Sequence, residues 1–248
     1  MFKAILEIIL CIYSNAIFYT RNPYILKGSF ALKFIRKLPR GHWSQEGQDK
    51  IAEEILVMMG VDIGNLKIVD VGANHPVVIN NTQYFESQRS AKVHSIEPNP
   101  FFIPLYKEHN RELINCAIGY IEEELILHIP TRSLMLEYND NVHASLLAEE
   151  LDESALRNKE SIKVEVRRLG SVIEPDHYNI LFIDVEGFEL EVLKGIDFNQ
   201  FSFDVIFIEN NSTLRPLHVI RNYLVNQGYS FHARIHGLDD IFLRLDRN

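Results

Sequence analysis

Four short apolar runs, each carrying an acid near its far end, constrain this chain more than any other feature. KIVDV (67–71), KVHSIE (92–97), NILFIDVEG (179–187) and FDVIFIENN (203–211) are rich in β-branched and aromatic residues. Such runs read as buried strands. Helical patterns lie between them. After Ser44, apolar residues at Ile51, Ala52, Ile55, Leu56 and Met59 form one stripe that Gly60 ends. Asn80 and Gln83 form a capping pair that opens a helix over 81–89, and short helices are expected over 102–109, 188–193 and 214–226. Further strands are expected over 112–119, 124–129 and 163–169, with an antiparallel edge hairpin over 230–245. Alternating helices with strands that are apolar without interruption imply an α/β fold: a doubly wound, mostly parallel sheet covered on both faces. In such sheets ligands sit at the carboxyl ends of the strands, so the acids there are the residues to read.

Composition narrows the partners. Lys and Arg total 25 against 34 Asp and Glu, a net charge of −9. That balance argues against nucleic acid and against a general affinity for anionic lipid. Two cysteines, Cys11 and Cys116, cannot form a disulfide framework and fit no zinc spacing. A reducing, cytoplasmic setting is the simpler expectation. The N-terminal segment over 1–43 reads as a helix and a connector, and the domain as 44–248. Residues 4–19 are the most apolar stretch, but they are fewer than the roughly 20 needed to cross a bilayer and contain Glu7. Two readings stand: a helix packed on the domain or on a second subunit, giving dimerisation through residues 2–19, or a peripheral membrane contact aided by the basic residues at 21–40.

The strand ends carry specific chemistry. Asp70-Val71-Gly72-Ala73-Asn74 closes the first strand and Glu97-Pro98-Asn99 the second. An acid ending the second strand can accept hydrogen bonds from a ribose diol, which suggests a nucleoside-containing cofactor. A dinucleotide would need its pyrophosphate cradled. This turn has one glycine followed by Asn74, His75 and Pro76, and proline has no N–H to offer. S-adenosylmethionine carries a ribose, an adenine and a sulfonium cation but no phosphate, so it is favoured over NAD.

The segments SQEGQD (44–49), IVDVGAN (68–74), IEPNP (96–100), NCAIG (115–119), FIDVEGFELEVLKG (182–195) and IFIEN (206–210) together resemble the FkbM-type methyltransferases. The resemblance runs from about residue 44 to the C-terminus. It implies a class I methyltransferase fold, which is a Rossmann-like seven-stranded sheet, and S-adenosylmethionine as donor. The usual reaction of the family is O-methylation of a saccharide or natural product. His75-Pro76 stands where the commoner motif has a second glycine. By the resemblance, Asp70, Gly72 and Asn74 line the methionine end of the donor, Glu97 holds the ribose, and Asn115, Cys116 and Ala117 flank the adenine. Cys116 is expected to be a small buried residue there and not a nucleophile.

An alcohol acceptor must lose a proton. Candidate general bases are Asp184, Glu209, His75 and His143. Alternatively Asp184, Glu209 and Asn210 hold Mg2+ or another divalent cation that lowers the hydroxyl's pKa. The irregular stretch 131–160, which includes His143 and Ser145, is a candidate acceptor lid. Ser44 can cap the first helix, and Gln45 and Asp49 can close over the donor. Two other functions compete with a methyltransferase acting on a saccharide or small metabolite. One is an NAD(P)-dependent oxidoreductase on a similar sheet; the other is a catalytically silent donor-binding module.

Overall fold

The computed structural model describes residues 43–77, 79–130, 145–147, 159–212 and 214–245. The expectations for the 2–19 segment, the rest of the connector and His143 lie outside the described residues. The elements in chain order are α1 (Gln48–Met59), β1 (Lys67–Val71), α2 (Gln83–Arg89), β2 (Lys92–Ile96), α3 (Ile103–Glu108), β3 (Ala117–Ile118), β4 (Glu123–Pro130), β5 (Lys159–Arg167), β6 (His177–Ile183), α4 (Glu189–Lys194), β7 (Ser202–Glu209), α5 (Leu217–Asn226), β8 (Tyr229–Ile235) and β9 (Asp239–Arg244).

The main sheet has six strands in the order β2-β1-β6-β7-β9-β8. β2, β1, β6 and β7 run parallel; β9 alone opposes them, antiparallel to β7, and the edge strand β8 is antiparallel to β9. Because side chains alternate along a strand, the unbroken apolar runs feed two cores. Val69, Leu181, Ile183, Ile206 and Ile208 pack with Val192 and Leu193 of α4 and Ile220 and Leu224 of α5. Ile68, Ile180, Phe182, Val205 and Phe207 pack on the other face with Ala52, Ile55 and Leu56 of α1 and Tyr84 and Phe85 of α2.

The expected seventh strand over 112–119 does not form as one piece. Ile114 makes a single parallel bridge to Ile96 beside β2. The chain then turns at Asn115, whose Nδ2 donates to the carbonyls of Glu97 and Pro98 (2.8 and 3.0 Å). Ala117–Ile118 leaves the main sheet and pairs with β5, in a separate three-stranded sheet ordered β3-β5-β4. Tying the Asn115 amide to the Glu97 loop fixes the bend and diverts the strand. Among the described residues, no helix is long and apolar enough to cross a membrane.

Candidate active site

The carboxyl ends of β1, β2, β6 and β7 open into one cavity of about 270 Å3. Asp70, Gly72, Asn74, His75, Glu97, Cys116, Ala117, Asp184 and Glu209 all line it. The first strand-end turn is forced by packing. Gly72 has φ +86°, and a Cβ there would lie 1.7 Å from the carbonyl oxygen of Asp184. Only glycine lets β1 leave the sheet so close to β6.

The loop that follows is closed on itself. The N–H groups of Gly72 and Ala73 donate to the Ile96 carbonyl (2.9 and 3.1 Å). The Asn74 N–H donates to Glu97 Oε2 (3.1 Å), the His75 N–H to Asn74 Oδ1 (2.7 Å) and the Val77 N–H to His75 Nδ1 (3.1 Å). With Pro76 between them, every backbone donor from Gly72 to Val77 is used within the protein. No N–H of this loop is left for a pyrophosphate, unlike a phosphate-cradling turn. His75 accepts at Nδ1, which places its proton on Nε2. Burial, and then the neighbouring His109, lower its pKa.

The acids at the β1 and β2 ends are both raised. Burial pushes Asp70 up to about 7, against the pull of Arg111 and the Thr82 hydroxyl, which donates to Asp70 Oδ2 at 3.3 Å. Glu97 is likewise raised by burial to about 7, although its oxygens accept from the N–H groups of Asn99 (2.9 Å) and Asn74. Arg111 sits behind the turn. It donates to Asn80 Oδ1 and Thr82 Oγ1 (3.2 and 2.8 Å) and pairs with Glu86 and the Pro76 carbonyl. Nothing in the spacing of these residues announced that network. Cys116 is 4% exposed, and burial raises its thiol to about 11, so it is packed and not nucleophilic. Asn115 faces the Glu97 loop and does not line the cavity.

At the β6 and β7 ends a second group of acids gathers. Asp184, Glu186 and Glu209 each offer an oxygen within 4.8 Å of the others. Dense surrounding protein, then Glu209 and Glu186, hold the Asp184 carboxyl well above the usual range, although its outer face is open to the cavity. Glu209 is raised to about 8 by burial and then by Glu186 and Glu189, and its carboxyl lies in hydrogen-bond reach of Asp184. Its Oε2 is buried with no protein partner. Two acids this close share one proton or one cation. Hard oxygen donors of this kind suit Mg2+ or Ca2+.

Asn210 does not belong to this group. Consecutive strand residues point to opposite faces, so Asn210 turns beneath the sheet end. Its Nδ2 donates to Asp240 Oδ2 and the Leu217 carbonyl (2.7 and 3.0 Å). Glu186 takes its place as the third carboxylate of the group. Its φ of +51° and that of Gly187 (+104°) fold the chain back over Asp184. The signal for it was the Glu-Gly pair just past a strand-end acid. At the N-terminal side, Gln45 lines the cavity. Asp49 does not close over it: its carboxylate accepts from the Ser44 hydroxyl (2.6 Å), and the Asp49 N–H donates back to Ser44 Oγ (3.2 Å). The two bonds hold the loop that leads into α1, whose N-cap position is Gly47 at φ +80° with no side chain to cap.

Comparison with curated proteins gives no match. A family model described as the Methyltransferase FkbM domain matches residues 70–231. The matched span begins at the first strand-end acid, takes in both acid groups and ends in the edge hairpin. It covers more than half of the 248 residues, and the chain belongs to the FkbM methyltransferase family.

Proposed function

We propose that this methyltransferase moves the methyl group of S-adenosylmethionine to a hydroxyl of a saccharide or small metabolite. One observation carries the reading. The cavity is lined by the carboxyls of Asp70, Glu97, Asp184, Glu186 and Glu209, and no Lys or Arg lines it among the described residues. Such a wall attracts a sulfonium cation and repels a pyrophosphate. The closed donor set of the Gly72–Val77 loop points the same way, against NAD.

S-adenosylmethionine would supply an electrophilic methyl group on a positively charged sulfur. Asp70 and Glu97 bind at the β1 and β2 ends, where an acid after the second strand suits a ribose diol. Cys116, Ala117, Ile118 and Phe188 supply an apolar lining for the base. Asp184, raised by the protein packed around it and by Glu209 and Glu186, and Glu209, raised by burial and by Glu186 and Glu189, are the carboxyls basic enough to take a proton from an alcohol. His75, with Nδ1 already accepting from Val77, is less suited to that role. A divalent ion held by Asp184, Glu186 and Glu209 would instead lower the acceptor's own pKa. Holding the acceptor oxygen in line with the methyl supplies much of the rest of the acceleration.

Equilibrium titration with S-adenosylmethionine and with NAD tests the donor. Saturable binding of the first and none of the second is expected, and the reverse overturns the reading. Release of S-adenosylhomocysteine from a panel of neutral saccharides, with and without a chelator, then tests acceptor and metal. Donor binding with no release on any acceptor would favour the silent donor-binding module.

A further inference from the structure

The acid group at the β6 and β7 ends depends on the turn that carries Glu186, and that turn is held from three sides. The Ser145 hydroxyl donates to the Glu186 carbonyl at 2.7 Å. The Gly187 N–H donates to Glu189 Oε1 at 2.7 Å. Arg215 donates to the Gly187 carbonyl at 3.1 Å through Nη1 and to Glu189 Oε2 at 2.6 Å through Nη2. Glu186 and Gly187 both sit at positive φ, a conformation that costs free energy for a non-glycine residue and persists where the surroundings impose it. Glu189 is 1% exposed, so its pairing with Arg215 is a buried clamp and not a surface ion pair.

Ser145 stands out among the three because it comes from another part of the molecule. It forms an isolated antiparallel bridge with His128 of β4 (2.9 and 3.0 Å between backbone groups). It is 1% exposed, and its Oγ also accepts from the Leu147 N–H at 3.0 Å. Leu146 and Leu127 beside it both line the cavity. The second sheet is thereby joined to the acid group through one buried hydroxyl.

We propose that Ser145 is a positioning residue for methyl transfer. Together with the Glu189–Arg215 pair it fixes the Glu186–Gly187 turn, and so aims the Glu186 carboxylate into the group it forms with Asp184 and Glu209. Ser145 touches neither reactant: it acts through the Glu186 backbone. The inference rests on the methyltransfer reading above. It goes beyond it in assigning roles to Ser145, Glu189 and Arg215, and in giving the β4–β5 sheet a part in acceptor chemistry.

The test uses the full chain with Ser145→Ala and, separately, Arg215→Lys, which keeps the charge beside Glu189 but loses the second guanidinium nitrogen. S-adenosylmethionine affinity, thermal midpoint, and kcat and KM on an accepted saccharide are measured for each. A misplacement on the order of 1 Å at a reacting group can cost up to about 100-fold. The expected result is a fall in kcat of roughly 10- to 100-fold with donor affinity changed less than about twofold. The donor-side acids Asp70 and Glu97 lie on different strands and should not sense the change. Unchanged kcat in both variants overturns the proposal. So does a fall in kcat, donor affinity and thermal midpoint together, since that is what a purely structural contact would give. Failure of the native chain to bind S-adenosylmethionine overturns the methyltransfer reading itself, and this role with it.

Discussion

Asp70→Asn is the perturbation that reads the site's electrostatics most directly. Asp70 is 2% exposed and raised from 3.8 to about 7, chiefly by burial. Below the unfolded-state value both states are protonated, and the group adds nothing to the pH dependence. Between 3.8 and about 7 the unfolded chain ionises while the folded chain keeps its proton, so stability falls as pH rises. At 1.36 kcal/mol per pH unit the penalty reaches about 2 kcal/mol at pH 5 and levels off at about 4 kcal/mol above pH 7. Asparagine keeps the shape and removes the titration. The gap between variant and native stability should therefore widen by about 2–3 kcal/mol between pH 5 and pH 8, in the variant's favour. Taking the difference matters, because His75, His94, His232 and His236 are lowered by burial. Their contribution has the opposite sign: it is lost as pH falls below the unfolded histidine value near 6.5. These terms, and any packing offset of the asparagine, cancel in the slope. Urea unfolding of both proteins at pH 5, 6, 7 and 8 measures it. A gap that stays constant across that range refutes the argument that Asp70 is held protonated by burial. In the native chain, S-adenosylmethionine affinity should rise with pH and level off above about 7, as Asp70 and Glu97 ionise to meet the cation.

Two further substitutions probe the frame around the cavity. Gly72→Ala would put a Cβ 1.7 Å from the Asp184 carbonyl oxygen at φ +86°. It should cost about 3 kcal/mol or more by thermal unfolding and abolish donor binding by titration. Asp240→Asn removes the carboxylate that receives Arg221 (2.8 and 2.9 Å) and Arg234 (2.7 Å) in a fully buried position. Leaving Arg234 without its counter-charge should lower stability by roughly 3–5 kcal/mol, while the acids lining the cavity are untouched and donor affinity in the folded protein is kept.

The main strands and the strand-end acids were legible because each depends on local pattern. A run such as NILFIDVEG has too many consecutive apolar residues for a half-exposed strand, so its terminal Asp184 must emerge where the sheet ends. The capping pair at Asn80 formed only in half: its Oδ1 accepts from the N–H groups of Thr82 and Gln83 (3.0 and 2.8 Å), but α2 begins at Gln83 with Thr82 at the N-cap, and the Gln83 amide oxygen faces Arg111. What could not be read depends on partners far apart in the chain. The 112–119 run has the composition of a strand, but the Asn115 amide finds two carbonyls of the Glu97 loop and bends it away. Arg111 reaches Thr82, Glu86 and Pro76 through tertiary packing alone. The exchange of Asn210 for Glu186 is a different case. The alternation rule already set Glu209 and Asn210 on opposite faces, and what pattern could not supply was the left-handed turn at Glu186.

That turn ties the fold's constraints to the chemistry. Gly72 allows the end of β1 to pass against the Asp184 carbonyl, so the turn after β1 and the acid that ends β6 meet at one backbone contact. Arg111, behind the first turn, opposes the burial of Asp70, whereas Arg215 is paired with Glu189, and Glu189 adds to the raising of Asp184 and Glu209. With no Lys or Arg in the lining among the described residues, the carboxyls that do ionise leave the cavity negative toward a cation. A methyltransferase needs that negative cavity: its donor loses a positive charge during transfer, so the site must hold the cation before reaction and release the neutral thioether afterwards.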